Sequence, residues 1–85
     1  MNIEEKKALR NQKLKELYDF NEQNAGREAM IKYADLRNNE EEKMEHLAYE
    51  YLAQKGFINY KVFGGNNLYQ AKITAYGIDY VENEL

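Results

Sequence analysis

The sequence predicts an α+β domain, mostly α, made of three helices, a β-hairpin and a closing helix. Three observations carry that expectation. Residues 40 to 55 match the helical apolar template throughout, the period switches from 3.6 to 2 after Gly56, and it returns to 3.6 after Thr74. A chain of 85 residues that is 44% hydrophobic and 32% charged folds as one domain with one core, because its apolar content is too high for a disordered tail.

The elements follow in order. From Glu4 to Gln23 the residues are strong helix formers, with Leu14, Leu17, Tyr18 and Asn21 at helical spacing and Phe20 widening the stripe. Residues 1 to 9 hold little apolar content beyond Ile3 and Leu9, so they are expected to fray or to extend the first helix past a domain spanning 10 to 85. In residues 27 to 37, Met30, Tyr33 and Ala34 fit a short helix ending near Arg37, while Ala29 to Ile31 also fits a brief extended start. Asn39 and Glu42 then read as an N-cap with its N3 acid, Glu40, Glu41 and Glu42 suit the positive end of a helix dipole, and Met44, Leu47, Ala48, Tyr51 and Leu52 form the expected buried stripe. Gly56 suits the left-handed position that ends this helix.

Beyond it, Ile58, Tyr60 and Val62 alternate with polar residues, as do Tyr69, Ala71 and Ile73. A two-residue loop at Gly65-Asn66 pairs Val62 with Tyr69, Tyr60 with Ala71 and Ile58 with Ile73, which gathers six apolar residues on one face. Thr74 reads as the N-cap of a closing helix with Ala75, Ile78 and Val81 inward, and Gly77 marks a close approach to another backbone.

Composition removes several kinds of chemistry. With no Cys, no Ser and only His46, the chain lacks a disulfide framework, a thiolate or serine nucleophile and a Cys- or His-rich zinc site. Glu42, His46 and Glu50 align along the helix, but without a second His they read as an exposed, partly paired histidine rather than metal ligands. The expectation is a non-enzyme with no catalytic residues, no metal and no small-molecule cofactor. No stretch approaches the ~20 apolar residues of a membrane span, so the chain is expected to be cytoplasmic.

The element order, together with Leu52-Ala53-Gln54-Lys55-Gly56-Phe57-Ile58 and the closing Thr74-Ala75-Tyr76-Gly77-Ile78-Asp79-Tyr80-Val81-Glu82, resembles the winged helix-turn-helix domain over about residues 10 to 84. Both segments look like those of small bacterial regulators of the MarR, PadR and ArsR kind and of short, uncharacterised winged-helix proteins of the YjcQ type. The resemblance implies a DNA-binding transcriptional regulator, with the start of the 40 to 55 helix in the major groove and the 58 to 73 hairpin, the wing, on the backbone or minor groove. The residues placed to contact double-stranded DNA are Arg10, Lys13, Lys43, His46, Tyr49, Lys61 and Lys72.

Charge argues the other way. Residues 28 to 56 hold four cations against seven acids, net −3, where a duplex reader should be positive. The alternative is a winged helix used for protein interaction or homodimerisation, with Glu41 and Glu45 or the tyrosine pair Tyr76 and Tyr80 making the contacts.

Overall fold

The computed structural model describes all 85 residues as a mostly helical α+β fold: α1 (Ile3–Gln23), β1 (Ala29–Lys32), α2 (Glu40–Gln54), β2 (Ile58–Gly64), β3 (Leu68–Ile73) and α3 (Ala75–Glu84). The three strands form one antiparallel sheet in the order β1-β3-β2. The helices pack on one face of it, chiefly α1 and α3 against β3 and α2 against β2. The core between the layers holds Leu14 and Leu17 of α1, Ala48, Tyr49 and Leu52 of α2, and Ile58, Ala71 and Ile73 of the sheet.

The hairpin keeps the expected register in its core half: Ile58 faces Ile73, Tyr60 faces Ala71 and Val62 faces Tyr69. Its turn lies one residue further on. Asn66 and Asn67 occupy the left-handed region in the loop between the paired Gly64 and Leu68, and a bulge between Val62 and Gly64 absorbs the extra residue. The bulge lets the turn chemistry and the buried face be satisfied together. Val62, at the far end of the hairpin, lies beyond the core and is exposed.

The helix expected over residues 27 to 37 does not form. Ala29 and Tyr33 are buried and Ile31 half-buried, whereas Met30 and Lys32 point outward, so the period is 2 and the segment joins β3 as the sheet's third strand. The chain therefore has three helices in all, and α2 lacks the preceding helix of a helix-turn-helix pair. A turn fills the gap before α2. Glu42 fixes it by accepting hydrogen bonds from the backbone N–H groups of Ala34 (2.8 Å) and Asp35 (2.7 Å), while Asn39 caps Glu42 N as expected.

Two further corrections concern which side chains are inside. The α2 stripe is rotated by about one residue: Tyr49 is buried, whereas Leu47, expected in the core, is 57% exposed and Tyr51 lies at the surface. At the chain start α1 is capped rather than frayed. Asn2 accepts from Glu5 N and the Glu5 carboxylate accepts from Asn2 N, forming a complete capping box, although residues 1 to 8 are all exposed and extend past the core.

Leu52→Ala should cost about 2 to 5 kcal/mol, because it opens a cavity in the only core. Leu47→Ala should stay within about 0.5 kcal/mol, as surface substitutions do. Urea midpoints of the two variants check the rotation of α2, and equal losses would refute it. Gly77 supplies a second check. A Cβ there would press into the Phe57 carbonyl oxygen and lie 2.6 Å from Ile73 Cγ1. Gly77→Ala should therefore destabilise by about 1 to 3 kcal/mol in the same titration, despite the higher helix propensity of alanine.

Candidate functional site

Three surfaces carry the residues singled out by sequence: the α1–α2 face, the aromatic layer beneath α2, and the open face of the sheet.

The aromatic layer is built where α2 crosses the hairpin. Tyr60 stacks between Tyr49 (5.2 Å between centroids) and Tyr69 (4.9 Å), and the His46 ring lies 5.2 Å from Tyr69. Polar tips join at its edge. The Tyr60 hydroxyl lies 2.8 Å from the Tyr33 hydroxyl and 2.9 Å from His46 Nδ1, and His46 Nε2 lies 3.3 Å from Glu50 Oε1. In the tautomer that carries its proton on Nε2, toward the Glu50 carboxylate, Nδ1 accepts from Tyr60 and Tyr33 donates to Tyr60. Every buried side-chain polar atom has a partner. His46 and Tyr33 line none of the surface hollows, whereas Tyr60 and Glu50 each line one, and the chain of hydrogen bonds joins α2 to β2 and to the residue after β1. It orders the layer between helix and sheet.

That layer withdraws residues placed on DNA by sequence. Tyr49 is 5% exposed within the core, and His46 is largely enclosed rather than exposed. Lys13, whose side chain is only 13% exposed, pairs with Glu16 at 3.4 Å and Glu45 at 3.5 Å, and Lys43 pairs with Glu40 at 3.3 Å. The Arg10 guanidinium sits 3.9 Å from the centroid of the Tyr51 ring. Only Lys61 and Lys72 stand free. With Lys32 they project from the side of the sheet opposite the helices, around Asn59 and Gln70.

The proposed protein contacts separate in the same way. Glu41 is exposed and Tyr76 is 75% exposed, but Glu45 is engaged by Lys13. Tyr80 does not stand beside Tyr76 as a bare pair; it stacks on Phe57 at 4.8 Å and is half-buried. Instead, an apolar surface outside the core runs along α2 through Met44, Leu47 and Tyr51 and meets Met1 and Leu9 from the α1 side. The signal for it was present in sequence. Residues 44 to 52 hold six apolar residues, more than one buried stripe requires.

No protein-family model, curated protein or solved structure matches the chain. No helix is long and apolar enough to cross a membrane.

The tyrosines give the layer a pH signature. Burial pushes the Tyr33 hydroxyl up to about 12 and shifts Tyr49 and Tyr60 upward as well, while the hydrogen bond from Tyr18 to Glu82 (2.8 Å) pushes Tyr18 up to about 12. The folded chain holds protons that the unfolded chain releases near pH 10, so their stabilisation is intact below about pH 10 and declines as pH rises toward 12. Urea midpoints should fall between about pH 10 and 12, and Tyr33→Phe should make that fall shallower. A midpoint independent of pH across this range would count against the buried tyrosine layer.

Proposed function

We propose that the chain is a small winged-helix module that works through protein contact, using the exposed face shared by α1 and α2. The winged-helix part of the reading is supported by the strand order β1-β3-β2 and by a hairpin that directly follows the longest helix after β1 and lies in the wing position. The departure from that pattern is the turn that replaces the first helix of the helix-turn-helix. The observation that carries the functional part is the chemistry of α2: its outward strip presents Leu47 and Tyr51 with Met44 half-buried beside them, its start presents Glu40 and Glu41, and its one cation in the first two turns, Lys43, is paired to Glu40. A duplex in contact with that helix would meet acids and apolar carbon where phosphate needs cations. A protein partner would cover the same strip favourably, since apolar side chains rimmed by charge form the usual centre and edge of an interface.

A second reading has one observation in its favour. Lys32, Lys61 and Lys72 share the open face of the sheet, with Glu28 the acid beside Lys61 and Lys72, and this face is the place where a polyanion such as DNA would be attracted. The two readings separate in one titration with mixed-sequence duplex from 10 to 200 mM salt. Protein contact through α2 predicts no duplex binding at 200 mM and at most weak binding at 10 mM that Lys61→Glu with Lys72→Glu abolishes. Tight binding that Lys43→Glu weakens, with a steep salt slope, would overturn the protein-contact reading and reinstate a DNA-binding regulator.

A further inference from the structure

The α1–α2 face consists of two adjoining hollows of opposite charge. Both are floored by Met1, Leu9 and Met44. The first extends over Leu47 and Tyr51 and carries the cations Lys6 and Arg10, with Glu50 at its rim. The second has no lysine or arginine and is bounded by Glu40, Glu41 and Glu45. Lys6 and Glu41 make no ion pair within the chain, and Arg10 has an aromatic ring rather than a carboxylate for a partner. The α1 end that borders the face is closed by its capping box although it packs on nothing in the core.

We infer that the occupant of this face is a second copy of the chain, joined about a two-fold axis through the shared apolar floor. The inference rests on the protein-contact reading above and names its partner. In an isologous contact the same patch is used on both sides, and residues on opposite sides of the axis meet. A patch with an apolar centre, cations on one side and acids on the other complements itself: Lys6 and Arg10 of one copy meet Glu41 and its neighbours on the other, twice over, while Met44 at the axis closes on its counterpart with Leu47 packed beside it. A patch of uniform sign would repel its own copy. Here self-association brings together the apolar strip and both unmatched charges in one step.

Sedimentation of the full chain up to about 1 mM should show a reversible dimer whose dissociation constant rises at least about tenfold in Leu47→Glu, a change that is exposed and should leave far-UV circular dichroism unaltered. Lys6→Glu and Glu41→Lys should each weaken association, and the two together in one chain should restore it. A strictly monomeric wild type, or a double variant no tighter than either single one, would overturn the inference. A photo-crosslinker in place of Leu47, activated in the cells that produce the protein, tells its failure apart from that of the broader reading. A self-crosslinked dimer supports both. A crosslink to a different protein removes the second copy but leaves protein contact in place, and no crosslink to any protein removes both.

Discussion

The fold depends on one junction, where the end of β3 and the start of α3 meet the end of α2 and the start of β2. Thr74 N donates to the Phe57 carbonyl at 2.9 Å, extending the β2–β3 ladder by one pair beyond Ile58 and Ile73. Its hydroxyl donates to the Gly56 carbonyl at 2.6 Å and accepts from Gly77 N at 3.2 Å, so one side chain caps α3 and closes the turn after α2. Gly56 makes this possible with φ of +81°, which a side chain would resist, and Gly77 does so by bringing no Cβ against Phe57. Four elements therefore start or stop at positions that are not independent. The hairpin register follows from this end and not from the turn, which is why the Val62–Gly64 bulge can adjust the turn without moving Ile58 or Ile73.

A small core sets the second constraint. At this size too little aliphatic volume is available to fill the space between helices and sheet, and tyrosine rings supply it, with the Tyr33 and Tyr60 hydroxyls bonded at the edge to each other and Tyr60 to His46. Using Tyr49 for this purpose turns α2 so that Ala48, Tyr49 and Leu52 face inward. The rotation places Leu47 and Tyr51 outside and leaves Met44 half-buried beside them. The exposed apolar strip is thus a consequence of how the core is filled, and the surface available to a partner is inherited from the packing of the interior.

Much of the architecture was legible in the residues, and the failures have physical reasons. The α2 boundaries, the pairing of Ile58 with Ile73, the Thr74 cap and the close approach at Gly77 follow from local chemistry that tertiary packing had no reason to override. Segment 29 to 33 did not, because Met30, Tyr33 and Ala34 fit a helical spacing while Ala29, Ile31 and Tyr33 fit an alternating one; only the free edge of β3 decides between them. The orientation of α2 was equally undetermined, since its apolar residues cover more than one face and the choice depends on Tyr60 in the next element. The binding residues were the least legible. Lys13, Lys43, His46 and Tyr49 look available in a sequence, and whether a cation is free depends on where the carboxylates of other elements fall.

The bulge in the hairpin reaches beyond turn geometry. β2 is an outer strand of the sheet, and its unpaired backbone groups would otherwise offer a flat template on which another copy could add its own strand, the first step toward open-ended aggregation. Interrupting the ladder between Val62 and Gly64 twists the exposed end of that edge, and Lys61 places a charge on it. A chain with an apolar, uncharged hairpin tip at Val62 and Phe63 is in this way discouraged from polymerising through its sheet.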